Sequence, residues 1–270
     1  MRKFGALLGA LLLAVTHATT TAASGGQVII QRGQPVEIAV VFPHSGPLSG
    51  LGASARNAVQ MALEKHSRIR GFDVQLNDFD GPCGQGAVAA NAAAASAVVS
   101  NAQNVAVIGH FCSPGFAAAL QTYEIAGVVT LSGSANNPTL PSFGPDVFNS
   151  LVFAPDSDFQ VWYATVVTLP SDVFWQQRYQ DEFGAPPGPF ADLYYDAMSV
   201  MLDQIAAAAT LDQGSLVIDR AALAQAVRTL ADSPAEGFKG VTCSITLGSD
   251  GFRVNDPAAL AKCASTGFGA

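Results

Sequence analysis

Apolar and polar positions along the chain fall into a regular alternation. Val36–Phe42 (VEIAVVF) is almost continuously apolar, β-branched and bounded by Pro35 and Pro43, which predicts a buried strand. A glycine-rich loop, His44–Gly52, follows. Ala55, Ala58, Val59, Ala62 and Leu63 then recur at helical spacing with Arg56, Gln60 and Glu64 between them, predicting a helix over Ala53–His66. The pattern continues with a strand at Phe72–Asn77, an Ala-rich helix at Gln85–Asn101 and a strand at Val105–Ile108. A helix at Phe116–Ile125 and a strand at Val128–Leu131 complete it. Alternation of this kind means parallel strands joined by right-handed crossovers, with helices on both faces. The expected fold class is α/β, a doubly wound parallel sheet with flanking helices.

The second half is less regular. Asp146–Phe153 reads as a strand, Pro155–Gln160 as a turn, and Val161–Leu169 is β-branched and aromatic. Helices are expected from Pro170–Ser171 through Phe183, over Phe190–Ala209, and over Arg220–Leu230 behind an Asp219 cap. Val241–Leu247 and Gly251–Val254 suggest a hairpin, and Asn255-Asp256-Pro257 a cap for a short terminal helix.

The first residues are of another kind. Met1-Arg2-Lys3 precedes an apolar run, Phe4–Val15, and a Thr/Ala-rich exit to Ser24. A basic start, an apolar core too short for a bilayer and the small residues Thr21-Ala22-Ala23 predict a cleaved signal peptide over 1–23. No cysteine lies near the cleavage point to carry a lipid. The remaining 24–270 is expected to be one α/β unit, with its βαβ core at 36–150 and completing elements at 161–263. Periplasmic or secreted localisation follows.

Export changes the reading of the cysteines. Cys83, Cys112, Cys243 and Cys263 are even in number in an exported chain, which predicts two disulfides. Three pairings exist; Cys83–Cys112 with Cys243–Cys263 closes the shortest loops. Metal binding is disfavoured, since there is no C-x2-C and no nearby His pair. Formal charge is −8, and loss of Arg2 and Lys3 makes it more negative still. No Lys/Arg cluster is available to neutralise phosphates, so nucleic acid is not an expected partner.

In doubly wound sheets ligands sit beyond the carboxyl ends of the strands. Three loops reach that edge: Pro43-His44-Ser45-Gly46-Pro47, Gly109-His110-Phe111-Cys112-Ser113, and Ser132-Gly133-Ser134-Ala135-Asn136-Asn137-Pro138. His44 and His110 fall on it as candidate carboxylate contacts or pH-sensitive groups, with ordinary hydrogen-bonded loop histidines as the alternative. Ser113 sits just ahead of a helix, where free N–H groups and the dipole favour an anion. Ser134 and Asn136 supply donors and acceptors. Catalytic alternatives are poorly supported. No G-x-S-x-G surrounds Ser113, the 46–52 loop lacks the lysine of a phosphate loop, and an exported Cys112 is expected in a disulfide rather than as a nucleophile. Asp78 and Asp80 read as solvated acids at a strand end. Tyr194 and Tyr195 are about 100° apart on one helix, so one of them is expected to face outward.

Several ordered segments resemble the leucine/isoleucine/valine-binding family of periplasmic solute-binding proteins. VEIAVVFPHSGPLSGLGASARNAVQMALEK is similar to that family's first strand, loop and helix, and LNDFDGPCGQGAVAAN to its second strand and cysteine-containing loop. VAVIGHFCSPG and TLSGSANNPTL are similar to its two ligand-contacting loops. Arg178 through Glu182-Phe183-Gly184 to Tyr195-Asp196-Ala197, and FKGVTCSITLGSDG, are similar to its later helices and closing strands. The resemblance implies one lobe of a type I periplasmic binding protein that captures an amino acid or similar small solute for the membrane subunits of an ABC transporter. It implies no catalysis and no cofactor. It implies a Cys83–Cys112 disulfide, and an amino acid's carboxylate and ammonium held by Ser113 and the groups around Ser134, Ala135 and Asn136. Asn136 stands where the family usually has Thr, and Leu51 where some members place an aromatic residue.

One departure is large. Asn149–Gln160 runs almost directly into the returning stretch Trp162–Asp172, so the second lobe's βαβ units are missing. A small-ligand site normally buries about 70–90% of its ligand, and one lobe offers roughly half of that wall. The expected consequences are weak or partner-assisted binding and an open interlobe face. Homodimerisation would follow if that face is apolar.

Overall fold

The computed structural model describes residues 26–84, 86–154, 169, 171–231, 237–258 and 260–261. The expected leader over 1–23, the Pro155–Gln160 turn, Trp162, Tyr163 and Cys263 lie outside the described residues.

The central sheet has five strands: β2 (Val36–Phe42), β3 (Arg68–Ile69), β4 (Phe72–Asp80), β5 (Asn104–Gly109) and β6 (Val129–Leu131). Their order is β3-β4-β2-β5-β6, with β4, β2, β5 and β6 parallel and β3 antiparallel at the edge. The alternation along β2 shows why the sheet is wound on both faces. Ile38, Val40 and Phe42 enter one apolar core, and Ala39 and Val41 enter another. Helix α1 (Ser49–Lys65) covers the first face. Helices α2 (Ala87–Ser100) and α3 (Ser113–Ala126) cover the second.

Chain order reverses at β2, which lies between β4 and β5. The loops after β2 and β5 therefore run to opposite faces and open the crevice in which such sheets bind ligands. Two glycines make the close approaches there. A Cβ on Gly52 would lie 2.1 Å from the Pro43 carbonyl oxygen, and one on Gly109, whose φ is +123°, would lie 2.5 Å from that of Val41.

The later elements complete the first face. Helix α4 (Val173–Phe183) starts behind Asp172, whose side chain accepts from the Phe174 N–H. Helix α5 is Ala191–Ala208, and α6 is Arg220–Arg228, capped by Asp219 as expected. Helix α5 packs along α1 and is buried nearly all round. Both Tyr194 and Tyr195 are inside, at 0% and 5% exposure, which corrects the expectation that one faces outward. Tyr194 meets Phe42 and Phe111, while Tyr195 turns to Trp175 on α4. The angular separation is real, but two different neighbours fill the two directions.

Other local readings change too. Strand β1 (Gln27–Ile30) pairs with β8 (Ser215–Asp219), which pairs with β7 (Thr210–Asp212); this small antiparallel sheet was not foreseen. Asp146–Phe153 forms no strand and contributes only isolated bridges from Ser150 to Ser132 and Phe252. The hairpin expected at Val241–Val254 shrinks to a Leu247–Arg253 bridge. The ladder there joins β9 (Phe238–Gly240) to β10 (Cys243–Ile245). Asp256 caps the terminal turn by accepting from the Ala258 N–H.

Candidate functional site

The expected Cys83–Cys112 disulfide is present, with Cα atoms 5.8 Å apart. It ties the loop after β4 to the residue preceding Ser113, the first residue of α3. Cys243 is also disulfide-bonded; Cys263, its expected partner, is among the residues left undescribed.

Ser113 and the 132–138 loop are brought together. Ser113 Oγ accepts from the backbone N–H groups of Asn136 (3.1 Å) and Asn137 (3.3 Å), and donates to Asn136 Oδ1 at 3.3 Å. Three groups of the 132–138 loop thus converge on one oxygen at the positive end of a helix. Ser113 and Asn136 are half-buried and Asn137 is exposed, so this point opens to solvent.

Ser134 is placed differently. Its hydroxyl donates to the Phe111 carbonyl at 2.6 Å and meets the Tyr194 hydroxyl at 2.7 Å. Ser132 Oγ donates to the His110 carbonyl and accepts from the N–H groups of Ser134 and Ala135. Ser150 Oγ donates to the Ala135 carbonyl at 2.7 Å, and Ala135 is fully buried. These hydroxyls brace the two loops from beneath. Ser132 and Ser150 were not singled out as site groups. The Ser132-Gly133-Ser134 run was the available signal, since small hydroxyl residues between apolar strands close loops by local hydrogen bonds.

His110 is also internal. Its ring is completely buried, with Nδ1 2.6 Å from Asn91 Oδ1 and Nε2 2.9 Å from the Tyr123 hydroxyl. Both ring nitrogens are engaged within the protein, so the ring as placed offers no nitrogen to a ligand. Desolvation pushes its pKa down to about 3 and holds the imidazole neutral. The backbone of His110 belongs to the edge; its side chain belongs to the core between α2 and α3.

His44 and Ser45 are exposed on the β2 loop. His44 Nε2 lies 3.0 Å from Asp78 Oδ1, and its N–H donates to Asp80 Oδ1 at 3.0 Å. Arg56 also pairs with Asp78. The two strand-end acids are therefore employed in holding the β2 loop. No large exposed apolar side chain comes from any of the three loops among the described residues.

The periplasmic binding protein family model matches residues 35–169. An amino acid binding protein of Pseudomonas aeruginosa is 30% identical over 112 residues, which is 40% of this chain and 29% of that protein's length. Solved structures share the fold at low identity. A leucine-binding protein of Thermotoga maritima superposes with a TM-score of 0.65 at 16% identity, covering 82% of this chain and 93% of that one. A branched-chain amino acid transporter substrate-binding protein of Streptococcus pneumoniae, solved with isoleucine, gives 0.63 at 16% identity, with 82% and 94% covered. A solute-binding protein of Rhodopseudomonas palustris, solved with 3,4-dihydroxybenzoic acid, gives 0.62 at 12% identity, with 82% and 91% covered. The matched sequence, the β3-β4-β2-β5-β6 order and the loops at the switch point agree: this chain belongs to the periplasmic binding protein family, and its described residues form a lobe of the type I fold.

Proposed function

We propose that this protein captures an amino acid or a similar small carboxylate outside the cytoplasm for an ABC importer, without chemistry of its own. The observation that carries this reading is the convergence of Ser113 Oγ and the Asn136 and Asn137 amides at the start of α3. A carboxylate oxygen replacing the serine oxygen would receive those two amides, and a turn of Ser113 would add its hydroxyl as a third donor. Substrates named for the relatives support the class: amino acid, isoleucine and an aromatic acid all carry a carboxylate. The expected leader over 1–23 and the disulfides fit an oxidising compartment. No described helix is long and apolar enough to cross a membrane.

The test is thermal unfolding of the purified chain against amino acids and small organic acids at millimolar concentration. A ligand specific to the folded state at a hundred times its dissociation constant adds about 2.7 kcal/mol. A shift for one chemical class, absent in Ser113→Ala, is expected.

A second reading rests on a different observation. Residues 155–168 are all that lie between Ala154 and Leu169, whereas a domain needs at least about 50 residues. Closure of two lobes over a ligand then needs a second body. In this reading the chain is a ligand-sensing or docking module, and a partner with a polar surface supplies the second wall. A cooperatively folded protein showing no shift with any compound would favour it.

A further inference from the structure

A second cleft lies at the opposite edge of the sheet. Its volume is about 390 Å³, and Arg32, Gln34, Arg70, Phe72, Asp73 and Leu211 line it. Three tight turns build it. Gln31–Gln34 closes with the Gln34 N–H on the Gln31 carbonyl, with Gly33 at φ +88°. Arg70–Gly71 joins β3 to β4 with φ of +48° and +90°, and Gln213–Gly214 joins β7 to β8 with +47° and +86°. The last two are two-residue hairpins with both central residues left-handed, the conformation of a type I′ turn. The Arg32 guanidinium lies along the third turn, 3.3 Å from where a Cβ of Gly214 would be.

Two features set this cleft apart from an ordinary wet groove. The first is charge. The chain has 13 Lys and Arg against 21 Asp and Glu, yet Arg32, Arg68 and Arg70 gather here. Asp73 is taken by Arg68 at 2.7 Å. Neither Arg32 nor Arg70 has a carboxylate within ion-pair distance among the described residues, and Asp212 beside the third turn pairs with neither. The second is conformation. The first position of a type I′ turn suits Asn, Asp or Gly, and a long side chain there is uncommon. Arg70 holds that position, at a local conformational cost, and lines the cleft.

We propose that this cleft is a binding site for a small oxyanion bearing two negative charges, held between the guanidiniums of Arg32 and Arg70. The forked N–H groups of arginine match phosphate and carboxylate oxygens, and two such forks on rigid turns select a doubly charged ligand over chloride. The site is independent of the Ser113 edge.

The experiment titrates the purified chain with inorganic phosphate and, separately, with succinate, against sodium chloride at equal ionic strength, following amide shifts and the unfolding midpoint. Saturable binding of either dianion beyond the chloride control is expected. Phosphate alone marks a phosphoryl ligand, and succinate alone marks a dicarboxylate. Arg32→Gln and Arg70→Asn should each weaken it at least tenfold, while Ser113→Ala leaves it unchanged. Asn suits the left-handed position better than Arg, so Arg70→Asn keeps the fold intact and separates loss of the ligand from loss of structure. No saturable response beyond chloride, or a response the two variants leave untouched, overturns the proposal.

Discussion

Ser113 Oγ lies 3.3 Å from Asn136 Oδ1, and the same serine oxygen accepts the Asn136 N–H at 3.1 Å. One asparagine thus both donates to and accepts from the residue proposed to seat the ligand. Its amide oxygen engages the Ser113 hydroxyl that would otherwise turn to the ligand as a third donor. Asn136→Ala keeps the backbone donor and removes this competitor. The expected outcome is tighter binding of the responding solute, by about 0.5–1.5 kcal/mol for one relieved hydrogen bond. Calorimetric titration of the two proteins side by side checks it; equal or weaker binding in the variant would count against the seat.

Burial of His110 makes stability depend on acid. Its folded pKa of about 3 is below the ordinary imidazole value of 6.5, so the unfolded chain takes up the proton first. The stabilisation is complete above pH 6.5 and declines as the pH falls toward 3, by about 1.4 kcal/mol per pH unit. Carboxylates add their own acid dependence, so the informative quantity is the difference from His110→Gln. Urea unfolding at pH 7, 6, 5 and 4 is expected to give a steeper decline for the wild type than for the variant. Parallel curves would mean that the imidazole is not held neutral.

The Cys83–Cys112 bridge spans 29 positions and anchors the start of α3. Loop entropy assigns it about 3–4 kcal/mol. Cys83→Ser with Cys112→Ser is expected to lower the unfolding free energy by an amount of that order. It should also lower affinity for the responding solute, because Ser113 follows the bridge directly. A destabilised variant with undiminished affinity would show that α3 is positioned by packing alone.

Much of this architecture is legible in the residues themselves, for a physical reason. Val36–Phe42 is buried on both faces, so it reads as an unbroken apolar run, and Pro43, Gly109 and Gly127 punctuate the units that follow. Positions of the three edge loops follow from that alternation. Side-chain direction does not. His110 and Ser134 stand on ligand-edge loops, yet Asn91, Tyr123 and Tyr194 draw them inward, and those partners lie between 13 and 60 residues away in sequence. Strand β7 escaped notice because Thr210–Asp212 is wholly exposed, which leaves no apolar alternation to read. Leu247 and Arg253 meet as an isolated bridge, while the Arg253 side chain reaches Thr242 and Ser244.

Those bonds of Arg253 belong to a buried network that joins α5 to β10. Asp196 on α5 accepts from the Val241 N–H (2.8 Å), the Thr242 N–H (2.9 Å) and the Thr242 hydroxyl (2.6 Å). Arg253 donates to the Thr242 hydroxyl oxygen and to the carbonyls of Thr242 and Ser244, and its own N–H reaches Ser150 beside the 132–135 loop. Desolvation raises Asp196 to about 6 despite these donors and the Arg253 charge. A raised carboxyl means the folded state holds its proton longer than the unfolded chain. This group therefore favours folding below the ordinary aspartate value of 3.8, and that contribution is lost as the pH rises through 6. Asp196→Asn removes the titration and should flatten that part of the profile. Asp196→Ala removes the acceptor as well. It leaves two amides unpaired and removes the Asp196 charge that acts on Arg253, and breaking a buried charged network in this way costs about 3–5 kcal/mol. Urea unfolding at pH 7 should rank wild type above Asn and Asn above Ala. If Ala matches wild type, water has entered and satisfied the network, and α5 is held to β10 by apolar packing alone.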